Sequence, residues 1–419
     1  MPTEANRDKP VIVIGAGVVG LCCAAYLLQE GFSVTVVDRR GPGESTSFGN
    51  LGGIQNLAST PMALPGMLPH VPGWLMDPQG PLHIRPSYAP KAAPWLWKFW
   101  RQSQLNRVWH NAVALDALNR HSVECHLALA RWAGVEHLYK IPGQLYVWTD
   151  RKEFEHSKLA RAIWERTGQP FEEVDGKVIQ DIEPALAGAF EVGLRIFGNG
   201  HCKDPYGLCV GLAEKGVAEG MRLLREEVHE LLLAGSRIVG VKTDRGTLAA
   251  ETVVLAGGAW SAELLRQVGL RVPLESQRGY HVTIRNPGVE LNNMLLVIDK
   301  KIAITPMNSG LRVGGTVEFA GLAAAPDFGR SERLVPLARS LFKDLSAEDY
   351  TEWMGHRPCT PDSLPVIGAS GRLEGLLCAF GHGHMGLLGS APTGRIIADI
   401  AAGRETGMDM APYSPDRFG

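Results

Sequence analysis

Residues 11 to 37 contain the pattern that most restricts the fold, two short apolar strands joined by a glycine-rich turn and a helix. Val11 to Ile14 is a β-branched run typical of a buried parallel strand, and "GAGVVG" follows it directly. A helix is predicted from about Val18 to Glu30, ended by Gly31, and a second strand from Ser33 to Val37. This strand–turn–helix–strand order predicts a Rossmann-type βαβ unit.

The three glycines of this turn stand at GxGxxG spacing, and at each position a side chain would interfere with a different close contact. Gly15 makes the tight turn, Gly17 lets the backbone approach a pyrophosphate, and Gly20 lets the helix pack closely on the strand. The free N–H groups at the helix N-terminus favour phosphate. Asp38 ends the second strand, where it can accept hydrogen bonds from an adenosine ribose. The sequence therefore predicts a dinucleotide site. The acidic Asp38 argues against a cofactor that carries a 2′-phosphate on this ribose, but the basic Arg39 and Arg40 that follow weaken this argument.

Composition and charge exclude several classes of protein. The chain has 419 residues, 45% hydrophobic and 21% charged, which predicts an ordinary soluble globular protein of two domains or of one domain with a cap. A net charge of −2 argues against nucleic acid as a partner. No apolar run is long enough to span a membrane, and the first ten residues lack a signal-peptide core. The seven cysteines form no CxxC pair, so we expect reduced thiols in a cytoplasmic protein, with neither disulfides nor a metal site.

The rest of the chain predicts a mixed α/β organisation with long insertions. Extended loop is expected at 41–90, helices at 91–104, 107–133, 151–168, 208–219 and 330–344, and strands at 143–149 and 190–197. The segment 237–260 predicts a hairpin followed by a buried strand. The segment 278–317 alternates as an antiparallel sheet would. The closing segment predicts a strand, a tight turn and a helix from about Met385 to Ala402.

The interruption after Asp38 distinguishes between two cofactors. A nicotinamide dehydrogenase would continue with further βαβ units, whereas this chain enters "GPGESTSFGNLGGIQ" and returns to glycine-rich turns only at "TVVLAGGAW" and "GHGHMGLLG". Three separated contact regions suit a long ligand such as FAD better than NAD. An N-terminus of the closing helix near the flavin ring would stabilise negative charge on the reduced form.

These motifs resemble the FAD-dependent amine and amino-acid oxidoreductases of the D-amino-acid oxidase superfamily. The motifs "GAGVVG", "STSFGNLGG", "VVLAGGAWS", "RPCTPDSLPVIG" and "GHGHMGLLGSAPTGR" occur in the family order, and "IRPSYAPKAAPWL" is similar to bacterial D-amino-acid dehydrogenases. The resemblance implies a β-sheet cap over the substrate face of the flavin. It also implies hydride transfer from the substrate Cα–H to flavin N5, giving an imino acid that hydrolyses to the 2-oxo acid.

The resemblance also implies roles for individual residues. Arg357, in "GHRPCTPD", is placed where glycine oxidase-like relatives hold the substrate carboxylate, a task suited to the planar guanidinium fork. Tyr280 is expected to supply a second hydroxyl donor, and His384 to line the substrate pocket. His382 is expected to be a hydrogen-bonded structural histidine, and Arg85 either a second anion contact or a loop-packing residue. No general base is assigned, because a neutral substrate amine needs none.

Two departures from sarcosine oxidase-like members favour noncovalent FAD and the role of Arg357. Gly355 stands where those enzymes attach flavin to a cysteine, and Met385 stands where they carry a carboxylate-binding lysine. Three alternatives stay open: a glycine or sarcosine oxidase-like activity, the catalytic subunit of a proline or hydroxyproline dehydrogenase complex, and an NAD-linked dehydrogenase.

The sequence thus predicts an α/β (α+β) fold with a discontinuous FAD-binding domain (9–85, 200–275 and 355–405) and a substrate cap (86–199 and 276–354). The predicted partners are an amino-acid substrate and an electron acceptor, which is a quinone, oxygen or a partner protein. Peripheral association with the inner face of a membrane is a further expectation. The predicted FAD contacts are Gly15, Ala16, Gly17, Val18, Val19, Gly20, Asp38, Arg39, Arg40, Thr46, Ser47, Asn50, Leu51, Gly52, Val228, Ala256, Gly257, Trp260, Gly383, Met385, Gly386 and Leu387.

Overall fold

A computed structural model describes residues 9–56, 58–67, 71, 73, 77 and 80–418. Most of the N-terminal segment examined for a signal peptide and parts of the predicted loop 41–90 lie outside this range. The strands are β1 Pro10–Ile14, β2 Ser33–Asp38, β3 Gly53–Ile54, β4 Leu82–Ile84, β5 Tyr139–Lys140, β6 Gln144–Trp148, β7 Phe171–Asp175, β8 Val192–Ile196, β9 Gly200–Cys202, β10 Arg222–Arg225, β11 Val228–Ala234, β12 Arg237–Thr243, β13 Gly246–Ala249, β14 Thr252–Leu255, β15 Glu275–Ile284, β16 Met294–Val297, β17 Ile302–Met307, β18 Gly310–Gly314, β19 Val317–Phe319, β20 Tyr350–Cys359, β21 Val366–Ala369 and β22 Leu376–Phe380.

Helices cover the sheets and connect them. They are α1 Val18–Gln29, α2 Ala89–Gln102, α3 Leu105–Asn119, α4 Ser122–Trp132, α5 Arg151–His156, α6 Lys158–Thr167, α7 Gly176–Ile182, α8 Pro205–Ala218, α9 Ser261–Gln267, α10 Gly329–Glu332, α11 Leu334–Arg339 and α12 Ser390–Ala401. No helix in the described part of the chain is long and apolar enough to cross a membrane.

The first sheet carries the predicted nucleotide unit. Its strand order is β10-β2-β1-β14-β22-β21, with all neighbours parallel except the β21–β22 pair. Strand β1 lies between β2 and β14, so the chain leaves the sheet in opposite directions on its two sides. In open α/β sheets a crevice forms at such a point, outside the carboxyl ends of the strands.

Helix α12 packs tightly on α1 beneath this crevice. A Cβ on Gly394 would lie 2.6 Å from the backbone carbon and oxygen of Cys22, so only glycine permits this approach. Helices α3 and α4 join the same packing through Leu115 and Leu129. Helix α3 also contacts the cap through Val108 and Ala112, so it packs on both parts, and the predicted assignment of 86–199 to the cap stays a prediction.

The second large sheet forms the cap. Its order is β4-β19-β15-β18-β17-β16-β6-β8-β7, with β20 paired to β15 along its length. Most pairs are antiparallel as predicted, but β16–β6 and β19–β4 are parallel. Strand β4, at 82–84, belongs to this sheet and lies just before the predicted domain boundary at residue 85, so the exact boundary stays a prediction.

One face of the cap sheet is an apolar core and the other lines a cavity. Side chains alternate along a strand, so Val282, Val313, Ile304 and Leu295 share the core face with α11. The residues between them face the opposite side. The cap therefore presents every second residue of β15, β18, β17 and β16 toward the nucleotide sheet.

Four predicted helices differ from those observed. The stretch 107–133 is interrupted at Arg120 and His121 and forms α3 and α4, and 151–168 is interrupted at Ser157 and forms α5 and α6. The stretch 330–344 forms only the two short helices α10 and α11. The closing helix begins at Ser390 and not at Met385, because residues 383–389 are taken up by a 3-10 turn and its continuation. That turn, and not the helix start, faces the cavity.

Candidate active site

The glycine turn has the predicted backbone geometry. Gly15 has φ +112°, a conformation that side chains disfavour, and its N–H donates to Val37 O at 2.8 Å. A Cβ on Gly20 would lie 1.9 Å from Gly15 O, so close packing of α1 on β1 requires glycine there. The structural parts of the prediction for Gly15 and Gly20 are confirmed.

The start of α1 is open toward the cavity. Gly17 is its N-cap, and a Cβ there would meet only Ser47 Oγ, at 3.3 Å. Ser47 Oγ also accepts from Val18 N at 2.9 Å, which ties the loop after β2 to the helix start. The arrangement leaves room for a phosphate beside the Gly17 backbone, where the helix dipole favours an anion.

Asp38 is fixed by backbone donors. Its two carboxylate oxygens accept from Ala16 N at 2.7 Å and from Arg40 N at 2.8 Å. A carboxylate oxygen can accept more than one hydrogen bond, so both still have capacity toward a ribose. Arg39 pairs with Glu227 at 3.0 Å and lies over the Trp260 ring at 4.8 Å, and all three residues line the cavity.

One cavity of about 1440 Å³ joins the nucleotide turn to the cap. All three predicted catalytic residues line it. So do the predicted FAD contacts, except Ala16, Gly20 and Gly52, which lie behind the lining. The three glycine-rich segments that are distant in sequence are thus brought to one continuous space.

Arg357 extends from β20 across its neighbouring strand. Its guanidinium lies over Gly279 of β15, where a Cβ would be 2.1–2.4 Å from Cζ and the two terminal nitrogens. Nη1 donates to Thr316 O at 2.9 Å, and within the described residues no carboxylate pairs with this cation. Burial lowers the pKa of Arg357, but a guanidinium stays charged in proteins. Sequence reasoning missed Gly279, since only strand register reveals it.

The two histidines of the closing turn have different environments. His382 also lines the cavity, but it is buried and shares a hydrogen bond with Thr393 Oγ1 at 2.9 Å, as expected of a hydrogen-bonded structural histidine. His384 lines the cavity, and its buried Nδ1 has no partner among the described residues. Burial, and then the charge of Arg357, hold the pKa of His384 well below its ordinary value, so the ring is neutral.

Tyr280 and Arg85 are committed to a buried carboxylate. Tyr280 donates its only hydroxyl proton to Glu318 Oε2 at 2.6 Å and accepts from Asp327 N at 3.0 Å. Arg85 donates to Glu318 Oε1 at 2.7 Å, and Arg278 lies 3.4 Å from the other oxygen. Although burial raises the pKa of Glu318, hydrogen bonds from Tyr280 and Arg85 outweigh it and lower the pKa. These contacts use the Tyr280 hydroxyl proton and the Arg85 guanidinium within the protein, so they favour packing roles, and a substrate contact by either residue stays a prediction.

Cap side chains hold the loop that follows β2 by its carbonyl groups. His281 Nδ1 donates to Gly49 O at 3.1 Å, Arg312 Nη1 to Asn50 O at 2.7 Å, and Thr305 Oγ1 to Leu51 O at 2.8 Å. No local sequence signal pointed to these contacts, because each joins residues more than 200 positions apart. They make the cap sheet and the cavity loop one unit.

None of the seven cysteines, all of which lie in the described part of the chain, lines the cavity. All are buried free thiols. Noncovalent cofactor binding stays a prediction, and the position of Gly355 on the cavity lining is consistent with it.

Comparisons with known proteins extend over nearly the whole chain. The family model described as FAD dependent oxidoreductase (DAO) matches residues 10–400. A D-amino-acid oxidase of Bradyrhizobium diazoefficiens is 39% identical over 98% of this chain and 99% of its own length. A D-amino acid dehydrogenase of Vibrio cholerae is 33% identical over 96% of this chain and 98% of its own length.

Solved structures share the fold at lower identity. Glycine oxidase from Geobacillus kaustophilus has a TM-score of 0.75 at 23% identity, covering 98% of this chain and 99% of that one. L-proline dehydrogenase from P. horikoshii has a TM-score of 0.73 at 21% identity, covering 100% of this chain and 98% of that one. Given the family match over most of its length and its relatives above 30% identity, this chain belongs to the FAD-dependent oxidoreductase family.

Proposed function

We propose that the protein is an FAD-dependent enzyme that oxidatively deaminates an amino acid, with a D-amino acid as the preferred substrate. The observation that carries the proposal is the guanidinium of Arg357, held over Gly279 inside the cavity without a carboxylate partner in the described structure. A buried cation of this kind is completed by an anionic ligand. The names of the relatives at 39% and 33% identity support a D-amino acid.

The residues present fit FAD. Space beside Gly17 and the open start of α1 would take the pyrophosphate, and Asp38 would accept from the ribose. The turn at Gly383–Met385 offers a polar contact where the ring end of the cofactor would lie, because the Nδ1 of His384 has no partner within the described part of the chain. FAD bound there supplies a two-electron acceptor for the substrate Cα–H bond.

The side chains of the site orient the substrate and need not move a proton. The Arg357 fork would hold the carboxylate through two hydrogen bonds, which fixes the direction of the Cα–H bond. Neutral His384 adds no positive charge that would repel the substrate amine, and its Nδ1 can exchange a hydrogen bond with that amine. Loss of the Cα hydrogen with its electron pair from the neutral amine leaves the protonated imino acid, which water converts to the 2-oxo acid and ammonium.

The electron acceptor is proposed to be reached at a membrane surface. Trp97 and Trp100 of α2 are 58% and 39% exposed, with ring centroids 4.7 Å apart. No acidic residue occurs from 78 to 115, whereas Lys98 and Arg101 flank these rings in a chain of net charge −2. Trp100 also lines the cavity. Exposed tryptophan beside basic residues favours the interface of an anionic bilayer.

Replacement of Arg357 tests the substrate role. Arg357→Ala should keep FAD and the fold, but a lost bidentate contact of roughly 2–4 kcal/mol should lower kcat/KM for amino acids about 30- to 1000-fold. Lysine should rescue only partly, because a point charge lacks the fork. Arg195→Ala is the matched control, since Arg195 stacks on Phe197 outside the cavity. Turnover at the wild-type rate by Arg357→Ala would contradict the proposed function.

Replacement of Gly17 tests the nucleotide end. Gly17→Val should yield protein without flavin absorbance, because its side chain would fill the space at the start of α1. Gly329→Val is the control, since a Cβ at Gly329 meets only Asp327 Oδ1 at 3.4 Å. A yellow Gly17→Val protein with normal FAD affinity would show that the turn does not hold the pyrophosphate.

Vesicle binding tests the membrane surface. The protein should sediment with phosphatidylglycerol vesicles at low salt and less with phosphatidylcholine vesicles, because α2 carries basic residues beside exposed rings. A Trp97→Ser, Trp100→Ser double variant should lose this binding, while Val113→Ser, at a position 56% exposed on α3, should keep it. Equal sedimentation of both variants would argue against this surface.

A further inference from the structure

A row of residues crosses the cavity face of the cap sheet, one residue from each strand. Gly314 of β18 is opposite Ala303 of β17, Ala303 is opposite Leu296 of β16, and Leu296 is opposite Tyr146 of β6. Residues directly opposite in a sheet point to the same face, and all four line the cavity. Strand pairing thus places two very small residues and then two large ones in line.

This row forms a trough that begins beside Arg357. The guanidinium donates to Thr316 O, and Thr316 lies two residues from Gly314 along the chain. Leu51 lies over Gly314, where a Cβ would be 3.2 Å from both δ carbons of Leu51. Ala303 carries only Cβ, so the floor is low over β17 and rises at Leu296. At a strand spacing of ~4.8 Å, the distance from Gly314 to Tyr146 is roughly 14 Å. The part beyond Leu51, from Ala303 to Tyr146, spans two strand spacings, or roughly 10 Å, which is long enough for the large side chain of a substrate whose carboxylate Arg357 holds.

The far end of the trough is apolar and aromatic. Tyr146 meets Trp164 edge to face at 5.0 Å, and its hydroxyl donates to Gln55 Oε1 at 3.2 Å, so the polar tip is satisfied. Trp148 lies beside them on the same strand. Aromatic walls of this kind favour an apolar or aromatic side chain.

Charges around the trough argue against a basic substrate. The acidic residues in the described lining are Asp38, Glu226, Glu227 and Glu263, and all belong to the nucleotide-binding segments. Of the cations near the cap end, Arg161 is already stacked on Phe154 at 4.0 Å and lies 3.8 Å from Glu155. The side-chain ammonium of a lysine-like substrate would therefore meet no carboxylate in the described lining of the trough.

We propose that the trough over Ala303, beyond Leu51, holds the substrate side chain and selects large apolar and aromatic amino acids, with Ala303 setting the depth available. This inference rests on the proposed function, because it takes Arg357 as the carboxylate anchor. A buried aromatic side chain gains binding in proportion to the apolar area it removes from water. The enzyme should therefore favour D-phenylalanine over D-alanine by about 10- to 100-fold in kcat/KM and should discriminate against D-lysine.

Ala303→Leu tests the trough in the FAD-loaded enzyme. The added carbons should occupy the floor, so kcat/KM for D-phenylalanine should fall roughly 10- to 100-fold, with D-alanine changed less than about threefold. A second readout uses no turnover: the Kd of 3-phenylpropionate, followed by the flavin difference spectrum, should rise while that of propionate stays. Ala187→Leu is the control, since Ala187 is exposed on the cap and away from the cavity.

The outcomes separate this inference from the proposed function. Absence of turnover with every D-amino acid would contradict the proposed function, and the 3-phenylpropionate to propionate ratio would still decide the trough. Turnover with a preference for D-alanine, D-lysine or D-glutamate, or equal loss for small and large ligands in Ala303→Leu, would overturn the trough. If Ala303→Leu does not fold, the wild-type ligand ratio decides: tighter 3-phenylpropionate supports the trough and equal affinity overturns it.

Discussion

The site depends on one buried cation, the Arg357 guanidinium, which the cap holds without neutralising it. Thr316 O takes one of its donors, and Gly279 supplies the space beneath it. Other arginines nearby are satisfied within the protein: Arg278 and Arg85 share Glu318, and Arg312 donates to loop carbonyls. Desolvating a charge is expensive unless it is paired, so the cavity is poised for an anion at this position.

The cap positions the cofactor loop as well as the substrate. His281, Thr305 and Arg312 all come from strands whose opposite faces are packed in the apolar core of the cap. Their donors end on three successive carbonyls, at 49, 50 and 51. A change in cap packing is therefore transmitted to the loop that lines the cavity beside α1. We expect cofactor affinity and substrate affinity to be coupled through these three contacts.

The nucleotide end could be predicted from the sequence because its determinants are local. Gly15, Gly17 and Gly20 lie within one turn and one helix, and their spacing alone specifies the strand–helix unit. The cavity face of the cap could not be predicted in the same way, because it depends on pairing between strands far apart in sequence. Gly279 and Ala303 acquire their roles only from register.

Tyr280 shows why residue type alone was insufficient. A tyrosine on the substrate cap is a reasonable donor, but its hydroxyl donates to Glu318 at 2.6 Å, and no local pattern predicted that these two residues meet. The interruption near Arg120 divides a continuous helical pattern into two helices, which local propensity did not separate. In each case tertiary contacts overrode a pattern that was correct locally.

The most direct measurement is the affinity of a nonreactive carboxylate for the FAD-loaded Gly279→Ala variant, followed by the flavin difference spectrum. A Cβ at this position would lie 2.1 Å from Arg357 Cζ, so the guanidinium must move while the cation itself is retained. The account predicts retained FAD and a Kd raised at least about tenfold, which is ~1.4 kcal/mol, with Gly329→Ala unchanged. Wild-type carboxylate affinity in a flavin-loaded Gly279→Ala protein would contradict the claim that Arg357 anchors the substrate.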